Sequence, residues 1–217
     1  MIDNDIVYTL FSSKIIRRVT PSGTESDICS TTPLHPVGIC KSYNDGLMVT
    51  LCSCDTPEIT SDSYGEVHHI DTSGGIIKTY THTQDRKRKL FINPSRIAQN
   101  KNTDLCVVEY IDREFRSRLV CVSMLSQVRY TYTGQPALTE MFSCNDIACD
   151  HHGRILLTDF DNHAVHLLRE DGHFLQYVLT EQSPLWGPQC LGLYGNTLWV
   201  GCEKGVVRVY KYSDEKC

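Results

Sequence analysis

Apolar residues along this chain fall in short runs separated by polar turns, and one arrangement of these runs recurs. In the segment HPVGICKSYNDGLMVTL, Ile39 is followed eight residues later by Leu47, across a polar turn. The same spacing, within one residue, separates three further pairs: Ile97 and Leu105, Ile147 and Ile155, and Leu191 and Leu198. Short β-branched and aromatic runs punctuated by Gly, Asn and Asp are typical of strands. The pattern therefore predicts a repeated strand–turn–strand unit.

The spacing and content of the repeats indicate the fold class. Successive units begin 58, 50 and 44 residues apart, and the shortest spacing matches the roughly 40 to 45 residues of a four-stranded propeller blade. Residues 147–179 contain four such strands: IACD, RILLTD, AVHLL and FLQYVL. The best candidate helix, at 89–99, is interrupted by Pro94. We expect an all-β protein, a β-propeller with about four to five recognisable blades, with a β-sandwich as the alternative.

The repeats also predict how the chain is divided. The expected blades occupy about 34–82, 90–134, 142–180 and 185–213, and residues 1–33 form the remnant of a further blade. The remnant, IVYTLFSSKIIRRVT, has the pattern of the middle strands of a blade that lacks its first strand. The last unit ends with LWVG and VVRVYKY, as in a blade without its outer strand.

One unit carries a recognisable signature. Residues 150–164, DHHGRILLTDFDNHA, resemble the NHL repeat, named after Asn-His-Leu, with Ala164 in place of Leu. The segments NKNTDLCVVEY, RYTYTGQP and LWVGCEKGVVRVYKY resemble the C-terminal propeller of tripartite-motif (TRIM-NHL) proteins. The corresponding positions EYIDREFRS and CEKGVVRV depart from the signature. In that family RING, B-box and coiled-coil segments precede the propeller; the RING transfers ubiquitin, and the propeller selects a protein or an RNA.

The resemblance implies a binding module rather than an enzyme. This chain contains no RING, B-box or heptad run, so we expect recognition of a protein substrate or single-stranded RNA, without ligase activity and without a cofactor. Family propellers have about six blades, so we expect an incomplete ring with open strand edges. Open edges favour self-association and poor solubility.

The signature residues Asp159, Asn162 and His163 suggest either a tight turn or a metal site. Asn tolerates turn geometry, and both Asn and His side chains can bond to local backbone. A metal on a propeller axis would need histidines at matching loops of several blades, and the matching loops carry Arg116 and Gly205 instead. We therefore expect a turn between the second and third strands of the blade, and no metal.

Two basic runs in the unit at 90–134 suggest a binding surface. The loop before this unit carries Arg86, Lys87, Arg88 and Lys89, and its inner turn carries Arg113, Phe115, Arg116 and Arg118. In an antiparallel meander alternate loops emerge on the same face, so the two runs should converge. A basic patch that contains an aromatic ring could take phosphates and stack a base. The alternative is an ordinary solvated rim.

Composition narrows the remaining choices. The net charge of −5 provides no general field for nucleic acid, so any basic surface is local. No signal peptide and no apolar run of about 20 residues is present, so we expect a cytoplasmic protein that does not enter a membrane. We expect the eleven cysteines to be reduced, including Cys106, Cys121 and Cys149 within apolar runs.

Two further functions remain open. A propeller enzyme of the metal-dependent lactonase or lyase type needs acids that converge on an ion, but the candidates Glu109, Asp146 and Asp159 do not repeat from unit to unit. No G-x-S-x-G elbow of a serine hydrolase is present. The other function is a scaffold that assembles through its strand edges.

Overall fold

The strands of this chain form five antiparallel sheets in a computed structural model that describes residues 4–53, 59–60, 63–136, 138 and 140–212. The first sheet contains β1 (Ile6–Leu10), β2 (Ile15–Val19) and β3 (Glu25–Ser30). The second contains β4 (His35–Lys41), β5 (Leu47–Cys52), β6 (Gly65–Ile70) and β7 (Ile76–Tyr80). The third contains β8 (Pro94–Gln99), β9 (Leu105–Tyr110), β10 (Ser117–Val122) and β11 (Val128–Tyr132). The fourth contains β12 (Ile147–Cys149), β13 (Ile155–Asp159), β14 (Ala164–Leu168) and β15 (Phe174–Leu179). The fifth contains β16 (Pro188–Tyr194), β17 (Thr197–Cys202) and β18 (Val206–Lys211), with a short 3₁₀ turn at Glu203–Gly205.

Each sheet is an up-and-down meander in which strands adjacent in sequence are hydrogen-bonded neighbours. Successive sheets pack through their first strands, β4 on β8, β8 on β12 and β12 on β16, which places these strands around a common axis. The second strand of a sheet also packs on the first strand of the next, as β5 does on β8. This arrangement is a five-bladed β-propeller and not a sandwich.

Alternating side chains bury one face of each sheet against its neighbour. Along β17, Leu198 and Val200 are buried against the fourth sheet, while Trp199 between them faces outward and is 36% exposed. Burial of each large apolar side chain contributes about 1.5 to 3 kcal/mol. The core therefore lies between the blades in four layers, centred on Val49, Val107, Leu157 and Leu198.

Within the described residues, the two terminal sheets have three strands each. β1 packs on β4 as β5 packs on β8, so β1 holds the position of a second strand and the first sheet has no innermost strand within the described residues. In the fifth sheet β18 is the outermost strand present. No strand of the fifth sheet has more than marginal contact with the first in the described part of the chain. Membership of a six-bladed ring stays a prediction.

Two of the apolar-run cysteines fill the core as predicted. Cys106 on β9 and Cys121 on β10 are directly opposite each other, both fully buried, with 3.9 Å between their sulfur atoms and no disulfide. Cys149, at the end of β12, is half-buried. Within the described residues, no helix is long and apolar enough to span a membrane.

Candidate functional site

Four segments from the third, fourth and fifth blades meet on one surface, which we call the loop face. They are the turn 111–116, residues 133–136 and 140–146, the turn 160–163, and residues 180–187. The turn 111–116 is joined to residues 140–146 through the backbone amide of Ser117, which donates to the carbonyl of Phe142 at 3.0 Å. The loop face therefore consists of the turns between second and third strands together with the loops that connect successive blades.

Asn162 joins the turn of the fourth blade to the loop that precedes this blade. Its side-chain amide donates to the carboxylate of Asp159 at 3.0 Å and to the carbonyls of Glu140 at 3.2 Å and Met141 at 3.3 Å. The backbone amide of Glu140 donates back to Asn162 Oδ1 at 3.3 Å. Residues 160–163 form a turn between β13 and β14, and Asn162 bonds mainly to a neighbouring loop rather than to its own backbone.

His163 has the corresponding role toward the fifth blade. Its Nδ1 accepts the backbone amide of Gly187 at 3.1 Å, and its ring centroid lies 4.7 Å from that of Trp186. His163 also has the left-handed backbone conformation of the turn, with φ of 51°. The sequence analysis assigned turn geometry to the neighbouring Asn, and the structure places the strained position one residue later.

Asp159 is fully buried below the turn and lies beside His166. Its carboxylate accepts the backbone amide of Ser143 at 3.3 Å and lies 3.1 Å from His166 Nε2. His166 Nδ1 lies 2.8 Å from the hydroxyl of Tyr132, and His166 is itself fully buried. Asp159 and His166 are fully buried, so these side chains pack beneath the turn.

Three large apolar side chains are exposed on the loop face. Phe115 is 49% exposed, Met141 43% and Trp186 57%. Phe115 packs edge-on against Tyr110 at 5.6 Å, and Trp186 packs on His163. A cavity of about 300 Å³ lies between the turn 111–116 and Met141. Exposed aromatic, Met and Arg side chains around a shallow cavity match the composition of protein interfaces.

Arg113 and Arg116 of the turn 111–116 lie on this face, and Arg118 follows them on β10. Arg116 pairs with Asp112 within the turn. Burial tends to raise the pKa of Asp112, but hydrogen bonds from Arg116 and from backbone amides outweigh it and hold the pKa below its ordinary value. Arg118 Nε donates at 2.7 Å to Glu109, a carboxylate with no solvent exposure. Arg118 therefore neutralises a buried charge, while Arg113 and Phe115 are exposed.

The other basic run lies elsewhere. Residues 82–89 form a hairpin closed by a bridge between His82 and Lys89, and Arg86, Lys87, Arg88 and Lys89 are all exposed. The backbone amide of Gln84 donates at 3.1 Å to Ser126, in the turn between β10 and β11. That turn and the turn 111–116 are at opposite ends of β10, a six-residue strand about 20 Å long.

The sequence analysis expected the two basic runs to converge on one face, and the structure does not bring them together. The end of the connecting loop does reach the predicted face, where the carbonyl of Asn93 accepts the amide of Tyr110 at 3.1 Å. The basic hairpin turns away because its own hydrogen bonds, such as the amide of Arg86 to the carbonyl of Thr83 at 2.7 Å, close it locally. A ligand role for either run stays a prediction.

The described residues do not assemble a metal centre. No group of three or more His, Cys, Asp or Glu side chains that could hold a metal ion occurs among them. A cavity of about 580 Å³ lies beside the ends of β4 and β8, lined by Cys40, Tyr43 and Gln99 among others. Burial raises the pKa of Cys40 to about 12, so this thiol stays protonated near neutral pH.

Sequence reasoning missed Met141 and Trp186. Both are large apolar residues in loops, Met141 beside Phe142 in TEMFS and Trp186 beside Leu185 in SPLWGP. For Trp186 the available signal was an apolar pair between Pro184 and Gly187 that fits no strand pattern. Nothing in the sequence showed that the two loops are neighbours.

Comparisons with known proteins bear on the fold. No protein-family model matches this chain, and no curated protein sequence matches it. A chain of the nidogen/laminin complex matches with a TM-score of 0.66 at 16% identity, over 96% of this chain and 72% of that chain. A putative gluconolactonase matches with a TM-score of 0.65 at 18% identity, over 96% of this chain and 72% of that chain. A catalytically inactive virginiamycin B lyase from Staphylococcus aureus with quinupristin matches with a TM-score of 0.62 at 12% identity, over 97% of this chain and 67% of that chain.

These likenesses define an architecture and not an activity. This chain spans about two thirds of the length of the solved chains it matches. At identities of 12 to 18%, proteins of one fold have different functions. The chain is a five-bladed β-propeller that shares its fold with these solved structures.

Proposed function

We propose that this chain is a protein-recognition propeller that binds its partner on the loop face. The observation that carries the proposal is the set of three exposed side chains, Phe115, Met141 and Trp186, on adjoining loops of consecutive blades. Binding energy in protein interfaces is concentrated in such aromatic and Met anchors, surrounded by polar groups. Arg113 and Arg116 provide a polar rim.

The proposal is also supported by how firmly these side chains are held. Asn162 fixes the backbone beside Met141, and His163 fixes the residue after Trp186. Anchors held in place before binding lose less conformational entropy when the complex forms. The nidogen/laminin complex contains a propeller of this architecture among its proteins.

In its finer form, the proposal is that this chain selects the substrate of a TRIM-type ubiquitin ligase. The support is the NHL-like signature at residues 150–164. Protein is favoured over RNA because the two basic runs lie at opposite ends of β10, and because Arg116 and Arg118 already pair with carboxylates. We propose no catalytic activity for these residues.

Site-specific photocrosslinking tests the binding proposal. A photoreactive amino acid placed at Phe115 or Met141 should capture one discrete protein partner in cells, and RNase treatment should not abolish the capture. The matched control is Leu125, which is 67% exposed in the turn at the other end of β10 and should capture nothing specific. Equal capture from Leu125, or capture lost with RNase, would contradict the proposal.

A second experiment tests the finer form. The chain fused behind an active RING domain should direct ubiquitin transfer to the captured partner, and the same fusion with Trp186→Ala should not. Transfer that is insensitive to Trp186→Ala would remove the loop face from substrate selection. Metal analysis and lactone hydrolysis assays of the purified chain address the enzyme alternative, and we expect both to be negative.

A further inference from the structure

Charge is unevenly distributed over the loop face. In the turn 111–116 two acids and two arginines cancel. The other charged segments of this face, 140–146, 160–163 and 180–187, contain no Lys or Arg, and their acids are Glu140, Asp146, Asp161 and Glu181. The part of the loop face that holds the exposed side chains of Met141 and Trp186 is therefore acidic.

Two of these acids lie beside each other next to Met141. Glu140 directly precedes Met141, and its backbone amide donates to Asn162 Oδ1 at 3.3 Å. Asp161 directly precedes Asn162, and both acids are exposed. Partial burial raises the pKa of Asp161, and the negative charges of Asp159 and Glu140 raise it further. Since these carboxylates repel one another, a cation placed beside Asp161 would be stabilised by all of them.

Trp186 provides a second attraction for a cation in the same region. Its indole is 57% exposed and packs on His163, two residues after Asp161 in the same turn. Of the aromatic side chains, Trp presents the most favourable ring face to an ammonium or guanidinium group. A Lys or Arg side chain on this indole would therefore also be attracted by the carboxylate of Asp161.

The cavity on the other side of this acidic part suits an apolar group. It has a volume of about 300 Å³, and Met141 and Phe142 are among its lining residues. Glu140 and Arg116 also line it, and Arg116 is paired with Asp112. A ligand that matches this surface therefore combines an apolar side chain with a neighbouring positive charge.

We propose that the loop face recognises a basic segment of its partner protein. A Lys or Arg of this segment lies on Trp186 beside Asp161, and an apolar side chain enters the cavity beside Met141. This inference rests on the proposed function and adds the chemistry of the partner. Complementary charge directs such a segment to this face and discriminates against acidic partners. RNA is disfavoured, because its phosphates would meet these carboxylates.

Selection from a phage-displayed library of random linear peptides tests the proposal on the full 217-residue chain. We expect the selected peptides to carry a net positive charge and an apolar residue close to Lys or Arg. Within one such peptide, replacement of Lys by norleucine or of Arg by citrulline should weaken binding about fivefold in fluorescence anisotropy. Selected peptides with neutral or negative net charge would overturn the proposal.

Neutral variants of the chain test whether the peptide binds beside these acids. Glu140→Gln combined with Asp161→Asn keeps the size of both side chains and should weaken peptide binding about tenfold. The matched control is Glu170→Gln combined with Asp171→Asn, in the turn at the other end of β14, which should leave binding unchanged. Equal loss in the two double variants would show nonspecific attraction to a chain of net charge −5 and would overturn the proposal.

Variants of the apolar side chains distinguish failure of this inference from failure of the proposed function. Peptides that bind Met141→Ala and Trp186→Ala as tightly as the unmodified chain would overturn the proposed function, and this inference with it. Peptides that lose binding in these variants, but bind the neutral variant of Glu140 and Asp161 unchanged, would overturn this inference alone. Circular dichroism of each variant verifies that it is folded.

Discussion

The imidazole of His163 lies 4.7 Å from the indole of Trp186, although 22 residues separate them in sequence and they belong to different blades. The contact and the bond from the amide of Gly187 to His163 Nδ1 tie the turn of the fourth blade to the loop that precedes the fifth. His163 therefore positions an exposed side chain of the proposed interface.

Replacement of His163 should release Trp186. In a Trp199→Phe background Trp186 is the single tryptophan, since the chain has two. His163→Ala should increase quenching of its fluorescence by iodide and cost about 1 to 2 kcal/mol of folding stability, because the part-buried amide of Gly187 loses its acceptor. Asn tolerates the left-handed backbone of residue 163, so His163→Asn should cost less folding stability than His163→Ala. Unchanged quenching in His163→Ala would contradict this role.

Loss of Arg118 should strongly destabilise the third blade. Arg118→Met leaves the carboxylate of Glu109 buried without its counter-charge, which typically costs about 3 to 5 kcal/mol. Arg118→Met combined with Glu109→Gln should recover part of that loss. Urea unfolding measures the stability of the single and the double variant. Lys87→Met, on the exposed hairpin, is the control and should stay within about 0.5 kcal/mol of the unmodified chain.

Tyr132→Phe should reveal the buried chain below the signature turn. It removes the hydroxyl that lies 2.8 Å from Nδ1 of the fully buried His166, and an unsatisfied buried group costs about 1 to 3 kcal/mol. Tyr194→Phe, at a side chain that is 83% exposed, should have no effect. Equal stability of the two variants in thermal unfolding would show that the hydrogen bond contributes nothing.

Stability should fall in acid partly because of Asp150. Burial tends to raise the pKa of Asp150, but hydrogen bonds from Tyr212 at 2.8 Å and Arg154 at 2.6 Å outweigh it and hold the pKa below its ordinary value. A depressed folded-state pKa gives stability that is present above the unfolded pKa and is lost as pH falls through the folded value. Asp150→Asn should therefore lower the Tm at pH 7 and reduce the decline of Tm below about pH 4. A decline as steep as in the unmodified chain would exclude Asp150 as its source.

Self-association should depend on the outward face of the fifth sheet. Val207 and Val209 on β18 are 64% and 60% exposed, and Val209 is directly opposite Trp199. Changing both valines to Lys should reduce concentration-dependent association in light scattering, because charge on this face opposes apolar contact between copies. Tyr43→Lys, at a 60% exposed residue in the turn between β4 and β5, should not reduce association. An unmodified chain that is monomeric at all concentrations would contradict the expectation.

Most of the fold could be predicted from local sequence patterns. The four strands expected within residues 147–179 are β12 to β15, and the three-stranded terminal sheets follow from the missing apolar runs at each end. Strands are readable because alternation and turn residues act over a few neighbouring positions. The position of the signature turn was predictable for the same reason.

The candidate interface was much less predictable. The basic hairpin 82–89 and the turn 111–116 were expected on one face, and the hairpin instead bonds to Ser126 at the other end of β10. Conversely, the sequence did not predict Met141 and Trp186 as interface residues, since neither belongs to a motif. Hydrogen bonds join Asn162 and His163 to other loops and so place Met141 and Trp186 on one surface. No local pattern encodes these bonds.

The sequence by itself determined the strands, their order and the turn at Asn162 and His163, because each depends on residues within about ten positions of one another. The tertiary structure decided which loops are neighbours and which exposed side chains share a surface. Those relationships arise from the stacking of blades around an axis, which joins residues of different blades through contacts that sequence distance does not reveal.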